Sequence, residues 1–168
     1  MVDTESIIRD IKYMYYENTG TSIVTLVDQY GRQYTGIAAV ADDDDDMKSE
    51  YTGYTIAETR AFIEFYQRWI HCELKPQLRA QKQLYYSMNR SKKYHPGHYE
   101  AYMLNRSIKR IEADIEHCRQ CISNLKEYVN FYIEEKEHLY QRIRSDNKIK
   151  ELLNEDTSNQ PDDLVDID

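Results

Sequence analysis

The sequence of 168 residues has only three cysteines and no long apolar run. A small, odd number of cysteines argues against a disulfide-stapled scaffold and favours a reducing compartment. The longest apolar run is far shorter than the roughly 20 residues that a membrane-spanning helix needs. The N-terminal segment MVDTESIIRD is acidic and lacks the charged-then-apolar order of a signal peptide, so we expect no export. These absences together predict a cytoplasmic protein.

The sequence also lacks the motifs that mark common enzyme sites. It contains no P-loop, no glycine-rich dinucleotide turn, no serine elbow and no zinc-protease helix. The segment YHPGHYE brings together His95, His98 and Glu100, which a nuclease could use for acid–base chemistry, but this signal is sparse and lies on a turn. We therefore expect a non-enzymatic protein with no catalytic residues and no cofactor.

Negative charge is abundant but concentrated in two segments. The formal net charge is −8; residues 42–46 are five consecutive aspartates, and residues 155–168 hold six acidic and no basic residues. Without these two segments, the remainder has a net charge of +3. The body is therefore near neutral with two acidic appendages, a distribution that bears on partner choice rather than on fold.

The first forty residues predict a small α/β unit. Apolar residues at helical spacing in TESIIRDIKYMYYEN, residues 4–18, predict a helix. The following segment TSIVTLVDQYGRQYTGIAAVA is rich in β-branched and aromatic residues on both sides of DQYGR, so we expect a β-hairpin with Gly31 at positive φ. Gly36, within the second arm, would mark a bulge.

A long helix is predicted after the aspartates. Thr55 and Glu58 have the spacing of a capping box, and a helical stripe continues to about Met88. Pro76 interrupts this helix and should kink it within the preceding turn. The stripe also changes phase between Ile70 and Leu78, as a local unwinding would require. A turn with Pro and Gly follows over residues 89–98.

The second long helix has a coiled-coil pattern. Apolar residues alternate spacings of four and three from Leu104 to Ile143, with a single break at Lys136. Two long helices joined by a short turn are expected to pack antiparallel. With the turn centred near Tyr94, Ile70 would lie opposite His117 and Cys118. The predicted fold is α+β and mostly α: a small αββ head in residues 1–62, a long antiparallel helical hairpin of coiled-coil type in residues 55–153 with its turn at 89–98, and a disordered acidic tail in residues 154–168.

The N-terminal order of elements, helix then hairpin then acidic loop then helix, resembles a known kind of module. The residues that carry the likeness are Gly36, Ala38, Val40, Asp42 to Asp46, Ser49, Glu50, Gly53, Ala57, Arg60 and Ala61. In these residues the chain resembles the double-stranded-RNA-binding-like modules of small phage and mobile-element proteins of Gram-positive bacteria. The resemblance implies an αββα shape and a phage-like origin, with an anti-CRISPR-like role among the functions it suggests.

The aspartate run has three interpretations. It is a solvated loop, because adjacent carboxylates repel each other; or an imitation of nucleic-acid phosphates that occupies the basic groove of a protein; or a divalent-metal site, for which the alternating ligands and the glycine of a calcium loop are missing. The partner-binding residues we predict are Asp42, Asp43, Asp44, Asp45, Asp46, Glu50, Tyr51 and Tyr54.

A basic, aromatic cluster at the tip of the helical hairpin is the alternative site. Basic side chains interleaved with aromatic rings are typical of surfaces that bind phosphates and stack bases. The competing interpretation is a solvated turn that keeps the tip soluble. The nucleic-acid-binding residues of this alternative are Arg90, Lys92, Lys93, Tyr94 and His95.

The cysteines suggest a zinc site only weakly. Cys72 follows a histidine, and Cys121 lies four residues after His117, a spacing that allows chelation on one helical face. Cys118, however, occupies a seam position where a small apolar residue is expected. The interpretation that we favour is no metal.

The 16 tyrosines favour a binding protein, because tyrosine combines an apolar ring with a hydroxyl group that stays hydrated.

The function we expect is that of a non-enzymatic phage or mobile-element protein that binds and inhibits a host protein in the host cytoplasm, with an RNA-guided defence nuclease as the leading partner. The alternative is a nucleic-acid-associated protein that uses the basic tip. A third hypothesis is a structural homodimer that forms through the exposed apolar seam of the second long helix beyond Val129.

Overall fold

The computed structural model describes residues 4–40, 49–90 and 98–158. The chain is mostly helical, with a small three-stranded antiparallel sheet and a long C-terminal helix, which confirms the predicted α+β class. Its contacts divide the chain into two units, residues 1–129 and 130–168. The elements are α1 (Thr4–Ile7), β1 (Ile8–Tyr16), β2 (Thr21–Asp28), β3 (Gln33–Ala38), α2 (Glu50–Trp69), a π-helical segment (Ile70–Leu74), α3 (Lys75–Arg90) and α4 (His98–Ser158).

The N-terminal segment is a strand, and the predicted helix over residues 4–18 is wrong. Only the four residues of α1 are helical, and β1 then pairs antiparallel with β2. A β-bulge lies between Ile8 and Asp10. The predicted αββ head is therefore a three-stranded sheet in the order β1-β2-β3, with β2 in the centre.

The bulge explains why the sequence of β1 imitates a helix. Ile8 pairs with Asp28 and Ile11 pairs with Leu26, and these two β2 residues both lie on the buried face of the sheet. Because the bulge adds one residue to β1, Ile8 and Ile11 share a face although they are three positions apart. A three-residue spacing of apolar side chains is normally typical of a helix.

The predicted hairpin is confirmed as β2 and β3, and Gly31 in its turn has a φ of 78°. Asp28 is fully buried at the end of β2 and organises this turn. Its carboxylate accepts hydrogen bonds from the N–H of Tyr30 (2.9 Å), the N–H of Arg32 (2.9 Å), the Nε of Arg32 (2.7 Å) and the hydroxyl of Tyr34 (2.9 Å).

These hydrogen bonds perturb both partners of the Asp28–Tyr34 pair. Burial alone would raise the pKa of Asp28, but the hydrogen bonds from Arg32 and Tyr34 hold it below its usual range. Burial, followed by the bond to the carboxylate, raises the pKa of Tyr34 to about 12. Arg32 also bonds to Glu73 at 2.6 Å, so the turn is tied to the π-helical segment.

The helix α2 packs on one face of the sheet through small residues. Gly36 has no room for a side chain, because a Cβ atom there would overlap the carbonyl oxygen of Ala57 and press on the N atom of Ala61. The glycine therefore permits a close helix–strand approach; the predicted bulge is wrong, since β2 and β3 pair without interruption. The core at this contact contains Val24, Leu26, Tyr34, Ala38, Ala57, Ala61 and Phe65.

The start of α2 lies earlier than predicted. Ser49 is the N-cap, and its hydroxyl accepts a hydrogen bond from the N–H of Thr52 at 3.2 Å. The helix begins directly after this residue, which satisfies an N–H group that would otherwise lack an intrahelical partner. The predicted capping box of Thr55 and Glu58 is therefore wrong, because both residues lie inside the helix.

The predicted change of phase between Ile70 and Leu78 is confirmed, because Ile70–Leu74 form the π-helical segment. The N–H of Lys75 bonds to the carbonyl of Ile70, which makes the wider turn that defines a π-helix. This segment and α3 pack against α4, and the predicted proximity of Ile70 and Cys118 is confirmed. The shared cluster contains Ile70, Leu74, Ile111, Ile115 and Cys118.

The unit that starts at residue 130 contains the last part of α4. Large apolar side chains are exposed there, among them those of Phe131, Leu139, Ile143 and Ile149. The ammonium of Lys136 lies 5.3 Å from the ring centroid of Tyr132. None of the helices in the described ranges combines the length and the apolar character that a membrane-spanning segment needs.

Candidate partner-binding groove

A groove of about 500 Å³ lies where β1, the first turns of α2 and α4 meet. Most of its wall is aromatic. We call it the tyrosine groove and define it by the residues that line it, which are Tyr13, Tyr51, Tyr54, Thr55, Glu58, Thr59 and Tyr128.

Two periodicities place these side chains together. Tyr13 pairs with Val24 of β2, whose side chain is on the buried face, so Tyr13 points to the α2 side of the sheet. The α2 residues Tyr51, Tyr54 and Glu58 are spaced by three and four positions, which puts them on one face of a helix. α4 adds Tyr128 from the position before the buried Val129.

The tyrosine rings pack edge to face. The ring centroids of Tyr13 and Tyr54 are 5.3 Å apart with an interplanar angle of 73°, and those of Tyr15 and Tyr54 are 6.3 Å apart at 68°. Such geometry aligns the positive edge of one ring with the negative face of another. Tyr54 thus sits between two strand tyrosines and is held in place by both.

Two glutamates give the groove a negative character. Burial raises the pKa of Tyr13, and the nearby carboxylate of Glu58, which accepts a hydrogen bond from its hydroxyl, raises this pKa further. Burial and a hydrogen bond to Glu50 likewise raise the pKa of Tyr54. Both tyrosines therefore stay protonated, and each donates to a carboxylate at the edge of the aromatic wall.

The threonines contribute little polarity to the groove. The hydroxyl of Thr55 donates to the carbonyl of Tyr51 at 2.9 Å, and the hydroxyl of Thr59 donates to the carbonyl of Thr55 at 2.8 Å. Both donors are thus satisfied within the helix. Aromatic rings and carboxylate oxygens are the chemistry that the groove offers to a ligand.

The structure brings together only part of the predicted partner-binding set. Tyr51 is 76% exposed and lines the groove with Tyr54, while Glu50 is exposed at the first position of α2. The run from Asp42 to Asp46 lies outside the described residues.

Sequence reasoning missed Tyr13, Glu58 and Tyr128. The helix predicted over residues 4–18 includes Tyr13, and the predicted capping box includes Glu58, so neither residue is predicted to line a site. The period-two recurrence of Tyr13 and Tyr15 is the signal that could have placed both rings on one face of a strand.

The alternative site at the basic tip is largely outside the described part of the chain. Arg90 is exposed at the end of α3. Lys92, Lys93, Tyr94 and His95 fall in the segment that the structure does not describe.

The three cysteines differ in their exposure to solvent. Cys72 is exposed, whereas Cys118 is buried in the cluster between the π-helical segment and α4, where burial raises the pKa of its thiol to about 11. The Sγ atom of Cys121 lies 3.7 Å from Nε2 of His117, on the same helical face as predicted. Among the described residues, no group of three or more His, Cys, Asp and Glu side chains is arranged to hold a metal ion.

No protein-family model, curated protein or solved structure matches this chain.

Proposed function

We propose that this protein is a non-enzymatic binding protein whose tyrosine groove receives a basic side chain, arginine or lysine, from the surface of a partner protein. The observation that supports this proposal is the pairing of aromatic rings with Glu58 in one groove. The face of a tyrosine ring attracts a cation, and a carboxylate at its edge adds an ion pair. Arginine suits such a site best, because its planar guanidinium can stack on an aromatic ring and donate two hydrogen bonds to a carboxylate.

The surroundings of the groove extend the same chemistry. Glu50 lies at the first position of α2, and in the sequence the five aspartates of residues 42–46 come just before this helix. Acidic groups along a surface steer a basic partner during encounter and make binding sensitive to salt. A protein that itself binds nucleic acid has the basic groove that this surface fits.

The biological setting that we propose follows from this chemistry and from the resemblance to phage modules. The protein would act in the host cytoplasm as an anti-CRISPR-like inhibitor of phage or mobile-element origin, occupying a nucleic-acid-binding host protein such as an RNA-guided nuclease. We further propose that α3 and α4 form an antiparallel coiled coil, which the Ile70–Cys118 cluster and the 2.6 Å ion pair of Lys82 and Glu112 support.

A labelled oligo-arginine peptide provides a direct test of the groove. Fluorescence anisotropy of the full chain should detect binding that weakens as salt rises. Tyr54→Ala and Glu58→Gln should each weaken binding about tenfold, the scale of a desolvated cation–aromatic contact or a charged hydrogen bond. Tyr86→Ala, which removes an exposed tyrosine of α3, is the matched control and should leave binding unchanged.

Two results would reject this proposal. One is equal loss of binding in the control and in the groove variants. The other is binding of a single-stranded oligonucleotide that disappears when Arg90, Lys92 and Lys93 are replaced by alanine, because that result would assign function to the basic tip instead.

A further inference from the structure

The two edges of the sheet are treated differently by the rest of the fold. On the β3 edge, side chains of α2 bond to three outward-facing backbone groups. Arg60 donates to the carbonyl of Ile37 at 2.6 Å, Glu64 accepts from the N–H of Thr35 at 2.6 Å, and Arg68 donates to the carbonyl of Gln33 at 3.2 Å. This ladder satisfies the edge and blocks the addition of another strand.

The β1 edge has no comparable ladder within the described part of residues 4–129. The strand is nine residues long and lies at the outside of the sheet. Half of the backbone N–H and C=O groups of an edge strand point away from the sheet and are ready to pair with another strand. We infer that β1 pairs antiparallel with β1 of a second copy of this chain, so that two three-stranded sheets join into one.

The two-fold symmetry of such a dimer restricts its register. Directly opposite residues in an antiparallel pair lie on the same face of the sheet. A two-fold axis normal to the sheet therefore passes midway between the two copies of one residue, which we call the residue on the axis. Asp10 and Lys12 are both exposed and pair with Val27 and Thr25 on the open face of the sheet. Charge decides which residue lies on the axis.

An axis through Ile11 is the register that the charges select. It places Asp10 of each copy opposite Lys12 of the other, which makes two opposite-charge pairs. An axis through Lys12 would instead oppose two lysines, and an axis through Tyr13 would oppose Lys12 to Met14 and leave its charge unpaired.

The shape of the edge agrees with this register. A groove of about 430 Å³ lies beside Ile11 and is lined by Thr4, Ile8, Arg9, Asp10, Ile11 and Phe62. With the axis at Ile11, the Ile11 side chains of the two copies would lie directly opposite each other on the α2 side of the sheet, beside this groove. The groove would then receive the apolar side chain of Ile11 from the second copy.

The dimer would also change how the protein binds its partner. Tyr13, a residue of β1, lines the tyrosine groove. Joining two copies through β1 would therefore hold two such grooves in one assembly at a fixed spacing. Two linked weak sites bind a repetitive basic surface more tightly than either site alone.

Sedimentation velocity of the full chain over a series of concentrations tests the dimer. The wild-type chain should dimerise, and Asp10→Lys or Lys12→Asp alone should weaken dimerisation at least tenfold by creating like-charge pairs. The double variant D10K/K12D restores opposite charges in the same register and keeps the net charge, so it should dimerise like the wild type. Both residues are exposed, so the thermal unfolding of the monomer should change little.

Hydrogen exchange keeps the test decisive if a variant does not fold. The outward amides of β1 in the wild-type chain should exchange more slowly at high than at low protein concentration, while amides of β3 should not change. A wild-type chain that stays monomeric overturns the inference. So does a dimer that all three variants form equally well, since that dimer would use another surface. Binding of the oligo-arginine peptide to a monomer would still stand, so the two proposals fail separately.

Discussion

The two outer strands of the sheet differ in length, charge and cover. β3 is six residues long, and Arg60, Glu64 and Arg68 of α2 cover its edge. β1 is nine residues long, and charged residues of its own lie along it. The difference shows that an edge strand can be protected by a neighbouring helix or left available for pairing, and that both choices are encoded by side chains and not by topology.

The side chains of α2 can cover the edge of β3 because the residue spacing along a helix nearly matches that along a strand. Every fourth residue of a helix advances about 6.0 Å, and every second residue of a strand advances about 6.8 Å. Three side chains of α2 can therefore follow three outward groups of β3 without strain. Glu64 also pairs with Arg68 at 2.9 Å, which holds the two side chains in register.

Among the variants that test this comparison, the largest loss of stability is expected from one that moves α2 away from β3. Gly36→Ala places a methyl group against the backbone of α2 at Ala57, and a backbone cannot move aside as a side-chain tip can. We expect the free energy of unfolding to fall by at least about 3 kcal/mol, measured by urea denaturation.

Gly31→Ala is the matched control for that variant. Gly31 has a positive φ but open space around its Cα atom, so alanine there should cost only about 1 kcal/mol of backbone strain. An equal loss of stability in the two variants would mean that the contact between α2 and β3 is not close.

A smaller effect is expected at the base of the β2–β3 turn. Asp28→Asn replaces an oxygen that accepts hydrogen bonds by a nitrogen that donates them, and we expect a loss of about 2 kcal/mol at neutral pH. Because the pKa of Asp28 is lower in the folded than in the unfolded chain, its stabilising effect is complete above its ordinary pKa of about 3.9 and is lost as pH falls through the folded value.

Thermal unfolding at several pH values measures this effect. The stability difference between the wild type and Asp28→Asn should shrink as pH drops below about 4. A difference that stays constant from neutral to acidic pH would show that the carboxylate charge has no part in holding the turn.

The smallest effect concerns the ladder itself. Glu64→Ala removes the acceptor of the Thr35 N–H and should cost about 1 kcal/mol. More directly, the amide of Thr35 should exchange faster with solvent, while the amides of β1 keep their rates. Gln67→Ala, at an exposed position of the same helix, is the control and should leave all of these rates unchanged.

Much of this fold is predictable from local patterns, and the exceptions have identifiable causes. The β2–β3 hairpin, the phase change between Ile70 and Leu78 and the proximity of Ile70 and Cys118 follow from composition and spacing alone. The strand β1 does not, because its bulge gives Ile8 and Ile11 the spacing of a helix. A pairing irregularity depends on the neighbouring strand and cannot be deduced from one segment.

The site was predictable only in part for a related reason. Glu50, Tyr51 and Tyr54 stand out as acidic and aromatic residues at a helix start. Tyr13 and Tyr128 join them through tertiary packing of β1 and α4 on α2, which no local spacing reveals. The ladder on β3 is equally hidden, since Arg60 and Glu64 look like ordinary charged residues of a solvated helix face.

The π-helical segment between α2 and α3 has a consequence for how this chain can vary. One extra residue in the turn rotates everything downstream by about 100° relative to a regular helix. The side chains before it can therefore cover the sheet while Leu74 and those that follow it meet α4. Substitutions within the π-helical segment are therefore compatible with the fold. Deletion of a single residue there would rotate the apolar stripe of α3 away from α4 and separate the two hydrophobic clusters.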